Sequence, residues 1–322
     1  MAVYTEVGPA DAQTLIERLG LGPLLSLRGI PAGIENTNYF VSTAQGEWVL
    51  TLFERLDALQ LPYYLGLMQH LAQRGLPVPE PRADAAGTLL HTVCGKPAAL
   101  VDRLPGSHRM APDLHHCEQV GAMLARLHTV GADFAPDQPH LRGLAWWAET
   151  VPVVLPFLQA EQALLLTEEL AYQQALAASP AWAGLPRGAI HADLFRDNVM
   201  FDGLPGHERL TGLLDFFFAG TDTLLFDLAV CLNDWCAEPE SGNPVDERAV
   251  ALVAAYERVR PLSPAEHRLL PALLRAAALR FWLSRLWDLH LPRDASLLKP
   301  HDPTHFERVL RARIARPWHP PR

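Results

Sequence analysis

Short runs of β-branched, aromatic and leucine residues recur along the N-terminal part of the chain, at 24–30, 37–43 and 47–53, divided by Pro31-Ala32-Gly33 and by Gln45-Gly46. Runs of this length bounded by turn residues predict strands of an antiparallel sheet. From Pro62 the period changes. Leu65, Met68, Leu71 and Ala72 share one helical face, and Gly75, Pro77, Pro79 and Pro81 close the pattern, so a helix is expected over 62–74. Two more strands are predicted at 88–93 and 98–104, split by Gly95-Lys96-Pro97. Beyond Pro105-Gly106 helical spacing dominates, over 117–130, 155–178, 224–236, 245–259, 264–289 and 304–314. Two short apolar strands interrupt it at 199–201 and 210–214, around a turn at Gly203, Pro205 and Gly206. The expectation is an α+β, bilobal chain, with a small antiparallel β-sheet lobe at 1–104 and a larger, mainly helical lobe at 105–322.

Composition narrows the classes open to such a chain. With 322 residues, 49% of them hydrophobic, it has the material for about two domains on a prior of ~150 residues each. The formal charge of −9, and lysine only at Lys96 and Lys299, leave no basic tract for nucleic acid. Cys94, Cys117, Cys231 and Cys236 form no Cys-x-x-Cys pair, which favours reduced thiols and a cytoplasmic protein over a disulfide framework or a zinc site. No basic segment leads into an apolar stretch at the N-terminus, and no uncharged apolar run reaches the ~18 residues of a membrane span. Neither secretion nor a membrane partner is expected. The 14 histidines lack ligand spacing, so metal is expected only with a nucleotide.

The chemistry concentrates in His191-Ala192-Asp193-Leu194-Phe195-Arg196-Asp197-Asn198 and in Leu213-Leu214-Asp215-Phe216. An Asp, an Asn five residues later and an Asp after a further strand match the needs of phosphoryl transfer. A carboxylate must orient the accepting hydroxyl and take its proton, the role expected of Asp193. Hard oxygen ligands must hold Mg²⁺ against the phosphates, the role expected of Asn198 and Asp215. His191 is expected to organise the loop, because Asp193 already occupies the position where the hydroxyl arrives.

Further blocks carry a resemblance: 33–41 (Gly-Ile-Glu-Asn-Thr-Asn-Tyr-Phe-Val), 48–54 (Trp-Val-Leu-Thr-Leu-Phe-Glu), 95–100, 227–236 and 279–286. With the motif above they resemble the protein-kinase-like phosphotransferases, the superfamily of aminoglycoside phosphotransferases and choline kinases, and within it the homoserine kinases of the bacterial kind. The resemblance implies a protein-kinase-like bilobal fold, ATP as donor with Mg²⁺, and the side-chain hydroxyl of L-homoserine as acceptor. It also implies that Gly33, Asn36 and Asn38 lie along the phosphates, that the strand carrying Val101 and Arg103 bonds the adenine edge through its backbone, and that Asp227 supports the catalytic loop. One departure stands out. The strand lysine that usually contacts the phosphates is replaced by Thr51, and the helix over 62–74 lacks the acid that would pair with it.

Homoserine carries an ammonium and a carboxylate, so its site needs an anion and a cation. The candidate cations are Arg196, Arg280 and Arg285, and the candidate anions are Glu35 and Asp234. Three rival readings remain open from the sequence: a kinase of another small hydroxyl acceptor, such as choline, an aminoglycoside or methylthioribose; a metal-dependent hydrolase built on His191, Asp193, Asp215 and Asp227; and a nucleotide-binding pseudokinase. The sequence gives no oligomeric state.

Overall fold

β2 (Asn36–Thr43) and β3 (Gly46–Phe53) pair antiparallel from Asn36↔Phe53 to Thr43↔Gly46, with Ala44 and Gln45 as the turn. β1 (Leu24–Gly29) adds to the outer side of β2, while β5 (Lys96–Asp102) pairs with β3 and β4 (His91–Val93) closes the sheet in the order β1-β2-β3-β5-β4. Cys94 and Gly95 connect β4 to β5 with φ of 50° and 74°, the two left-handed residues that a tight primed hairpin turn requires. The protein is described by a computed structural model that covers residues 5–31, 36–56, 58–291 and 302–321.

The chain divides into two compact units. The first runs to Gly106 and takes back Thr211–Phe217; the second begins at Ser107 and holds most of the rest. The sequence boundary at 104/105 thus lies beside the first crossing, whereas the return of 211–217 has no signal in composition. The sheet's core joins Tyr39, Val41, Trp48, Leu50, Leu52, Ala98 and Leu100 to Ala12, Leu15 and Ile16 of a helix, α1 (Pro9–Arg18). α2 (Leu61–Gln73) follows β3, one residue earlier than its predicted start.

The second unit is mainly helical: α3 (Leu114–Val130), α4 (Leu144–Val154), α5 (Ala160–Ala177), the short α6 (Pro180–Ala183), α7 (Leu224–Trp235), α8 (Asp246–Val259), α9 (Pro264–His290) and α10 (Thr304–Ala315). Every residue of α7 is buried, which is the pattern of a helix at the centre of a domain. α3 and α8 approach so closely at Gly121 that a Cβ there would lie 2.1 Å from the Leu252 carbonyl oxygen. β6 (Arg187–Ile190) pairs antiparallel with β9 (Gly220–Thr223), and β7 (Val199–Asp202) and β8 (Arg209–Leu213) form a second two-stranded sheet.

The predicted helix over 155–178 is corrected. Pro156 has no N–H to continue a ladder, so Leu155–Phe157 is a single 3-10 turn and the helix proper is Ala160–Ala177. Sequence pattern also passed over α1, α4, α6 and β9. The polar strand Gly-Thr-Asp-Thr of β9 offers no apolar alternation to read.

Candidate active site

β6 ends at Ile190, and the chain then turns sharply through Ala192, whose φ of 64° is left-handed for a residue with a side chain. Such a conformation costs roughly 1–2 kcal/mol and persists only where surroundings enforce it. Asp227 enforces it. One turn into α7 and fully buried, its carboxylate accepts the N–H groups of His191 and Ala192, each at 2.7 Å. Burial pushes this carboxyl up, but the hydrogen bond from His128, the nearby imidazoles and the His191 N–H outweigh it and hold it below the usual carboxylate range. His128 Nε2 lies 3.1 Å from Asp227 and its Nδ1 2.7 Å from the Tyr256 hydroxyl. Burial, against the pull of Arg260, keeps the Tyr256 phenol protonated, so it donates to Nδ1 and leaves the Nε2–H for Asp227.

The rest of α7 holds the loop at further points along the same face. Trp235 Nε1 and Cys231 Sγ both donate to the Leu194 carbonyl, at 3.0 and 3.6 Å. Asp234 accepts the Arg196 N–H at 2.8 Å and its side-chain Nε and Nη2 at 3.1 and 3.2 Å. Burial raises the Asp234 carboxyl, and Arg196 offsets part of that rise. Arg196 also donates through Nη1 to the Met110 carbonyl at 2.9 Å. The expected substrate cation Arg196 and substrate anion Asp234 are therefore engaged with each other.

Within this frame the Asp193 side chain is 16% exposed. Its N–H donates to Nδ1 of the fully buried His191 at 3.2 Å, so the His191 ring braces the backbone of the loop. Asn198 Nδ2 donates to the Asp193 backbone oxygen at 2.7 Å and to Oδ2 at 3.3 Å. With its nitrogen turned to these acceptors, the Asn198 amide oxygen points its lone pairs elsewhere, as a neutral ligand for a hard cation requires. Arg280, 3% exposed, places Nη1 3.8 Å from Asp193 Oδ1, and its guanidinium lies over Phe281 at 3.8 Å and Phe218 at 5.0 Å. Arg285 is half-buried; burial lowers its ordinary pKa, against the attraction of Asp193, Asp288, Asp197 and Asp234.

The other expected site residues belong to the first unit. Asp215 is exposed and left-handed, with φ of 60°, a region that Asp tolerates better than most residues. Phe217, two residues on, sets its ring edge-on to Phe53 of β3 at 5.0 Å and Tyr64 of α2 at 6.0 Å, and so anchors that segment to the sheet. Thr51 Oγ1 donates to Asn38 Oδ1 at 2.8 Å across the β2–β3 ladder, so the position open to a lysine is filled by a neutral pair. Asn36 keeps a buried Oδ1 with no partner among the described residues. Gly33 and Glu35 lie outside those residues.

Val101 and Arg103, expected along the adenine edge, lie at the end of β5. Val101 sits inside the ladder opposite Val49, and the Arg103 N–H donates to the Glu47 carbonyl at 3.2 Å. The Arg103 side chain pairs with Glu47 at 3.2 Å and lies over Phe40.

Asp227 with its oxygens taken by N–H donors does not serve a metal-hydrolase set, and no cluster of three or more metal-binding side chains occurs among the described residues. No helix there is long and apolar enough to cross a membrane. Sequence reading missed His128 and Tyr256 as loop supports. The available signal was a histidine on the apolar face of α3, beside Leu124 and Leu127.

The model of the APH phosphotransferase enzyme family matches residues 26–262. The homoserine kinase of Polaromonas naphthalenivorans (strain CJ2) is 61% identical over 318 residues, 99% of each chain, and that of Janthinobacterium sp. (strain Marseille) is 54% identical over 98% of this chain and 96% of its own. Among solved structures, the amicoumacin kinase hAmiN in complex with AMP-PNP, Ca2+ and Ami superposes with a TM-score of 0.68 at 15% identity, covering 95% of this chain and 93% of its own. That likeness extends the protein-kinase-like fold to this chain, with its five-stranded antiparallel sheet and helical remainder. The chain belongs to the APH phosphotransferase enzyme family, in the branch that holds these homoserine kinases.

Proposed function

We propose that this phosphotransferase moves the γ-phosphoryl group of ATP to the side-chain hydroxyl of L-homoserine, giving O-phospho-L-homoserine for threonine biosynthesis. The observation that carries the acceptor assignment is the Asp193 carboxylate beside a buried guanidinium, Arg280, at 3.8 Å, in a chain 61% identical to a homoserine kinase over nearly its whole length. A carboxylate-bearing acceptor has use for that cation. A purely cationic one does not.

Asp193 orients the acceptor hydroxyl and takes its proton as the oxygen bonds to the γ-phosphorus; the bond from that phosphorus to the bridging oxygen breaks, and ADP leaves. Arg280, with Arg285, is assigned to the acceptor carboxylate through charge-assisted hydrogen bonds. Arg196 and Asp234 hold the loop instead, since each engages the other. Glu35 retains the assignment to the ammonium. Asn198 and Asp215, a neutral amide oxygen and an exposed carboxylate, fit the donor chemistry of Mg²⁺, which when bound supplies charge neutralisation at the phosphates. Asn36, Asn38 and Thr51 are assigned to the nucleotide side. The free thiols favour a reducing cytoplasm.

The test is ADP release from ATP with homoserine, serine, choline, methylthioribose and an aminoglycoside as acceptors. Homoserine should give the strongest stimulation. Stimulation by another acceptor without homoserine overturns the acceptor assignment, and ATP binding with no stimulated turnover supports the pseudokinase reading.

A further inference from the structure

α10 reaches the catalytic loop from a part of the chain that carries none of the phosphotransferase motifs. Phe306, 4% exposed, stacks on Phe281 of α9 with centroids 5.0 Å apart and planes at 27°, and on Phe195 of the loop at 5.8 Å and 21°. Phe195 and Phe281 close the triangle at 4.4 Å. Further along α10, the buried Arg313 donates through Nε to Asn233 Oδ1 at 3.0 Å, beside the Asp234 that accepts the Arg196 N–H. One helix therefore bears on the loop at Phe195 directly and, through α7, next to Arg196.

The triangle also bears on the residue beside Asp193. The Arg280 guanidinium lies 3.8 Å over the Phe281 ring, and its Nη1 is 3.8 Å from Asp193 Oδ1. Offset aromatic stacking and cation–π contact are both directional, so a ring held by two neighbours passes its orientation to the cation above it.

We propose that Phe306 is a positioning residue for acceptor recognition: by fixing Phe281 and Phe195 it sets the Arg280 guanidinium relative to Asp193. The proposal rests on the reading of Arg280 as the partner of the acceptor carboxylate. A residue that merely filled the core would change thermal stability and leave the two Michaelis constants in their ordinary ratio.

The experiment is steady-state kinetics of the full chain with homoserine and ATP varied separately, alongside thermal unfolding, for Phe306→Leu, Phe306→Ala and Phe306→Tyr. Arg311→Ala serves as a control on the same helix, where Arg311 pairs with Glu307 and Glu161 at the surface. Phe306→Leu keeps an apolar filler and loses the ring, and it should raise the KM for homoserine about five- to tenfold while the KM for ATP stays within about twofold. Phe306→Tyr keeps the ring and should restore the homoserine KM. An unchanged homoserine KM in Phe306→Leu, or an equal rise in both constants, overturns the proposal. So does failure of both Phe306→Leu and Phe306→Ala to fold while Phe306→Tyr folds, since Phe306 is then a core residue alone. A wild-type chain inactive on homoserine overturns the acceptor reading instead, and the two failures are told apart by that control.

Discussion

Asp227 holds the left-handed turn at Ala192 by accepting its N–H at 2.7 Å, with the preceding His191 N–H at the same distance on the other oxygen. The carboxylate that shapes the loop has both oxygens engaged by these donors and by His128. Its removal separates loop geometry from loop chemistry.

Asp227→Ala leaves two buried N–H groups and the His128 Nε2–H without an acceptor. The expected loss is about 3–5 kcal/mol, the range for breaking a buried charged network, together with a fall in turnover. Chemical denaturation and ADP release on the same preparation check both. A variant as stable as the parent would remove Asp227 from this role.

Asp193→Asn should fold like the parent, because the side chain is partly exposed and the loop is tied by backbone groups at His191, Ala192, Leu194 and Arg196. Turnover should drop by about 10²- to 10⁴-fold, the usual share of a general base. Unaltered thermal unfolding with that loss supports the role, and near-parental turnover rejects it.

Gly121→Ala ordinarily stabilises a helix by about 1 kcal/mol. Here the new Cβ would meet the Leu252 carbonyl oxygen at 2.1 Å, so α3 and α8 must separate. Overpacking of this kind costs about 1–3 kcal/mol or more, and a lowered urea midpoint is the expected readout. A raised midpoint would show that the helices part freely.

Acid should destabilise the chain in two stages. Burial holds His91, His140 and His305 below their ordinary 6.5, so the folded state binds fewer protons than the unfolded chain, and stability begins to fall as pH drops below that value. Asp227 and Glu54 have carboxyls held below their ordinary 3.8 and 4.5 by hydrogen-bond donors that outweigh burial. Their contribution is present above those values and is lost as pH falls through the lower folded ones. Thermal unfolding followed from about pH 8 to about pH 3 should show both declines. A flat profile between the ordinary histidine value and the carboxylate range would contradict the first.

The parts of the site legible in the sequence were those set by local spacing. The offsets from Asp227 to Cys231 and Asp234 place all three on one helical face, and that face is the one that binds the loop. What could not be read were pairings across long stretches of chain. Arg196 and Asp234 were expected to meet a substrate, and they meet each other, because the buried Asp234 carboxylate, cut off from water, needs donors and the partly buried Arg196 supplies them. The sheet was legible from its apolar runs and turn residues. α1 carried an equal signal, a proline at its first turn before Ala12, Leu15 and Ile16, and was passed over all the same. α4 was hidden by Pro152 inside it, and Phe306 by its distance in sequence from both of its ring partners.

The hydrogen bond between Thr51 and Asn38 has an ionic consequence for the nucleotide. Kinases with a strand lysine hold a permanent cation against the phosphates, whereas a hydroxyl–amide pair contributes dipoles only. Under the proposed function, discrimination between metal-complexed and bare nucleotide passes to the divalent ion. Chelation with EDTA should then weaken ATP binding by much more than raising the ionic strength does, which makes this chain a reader of the magnesium complex rather than of ATP itself. Equal sensitivity to both treatments would point to a fixed cation elsewhere.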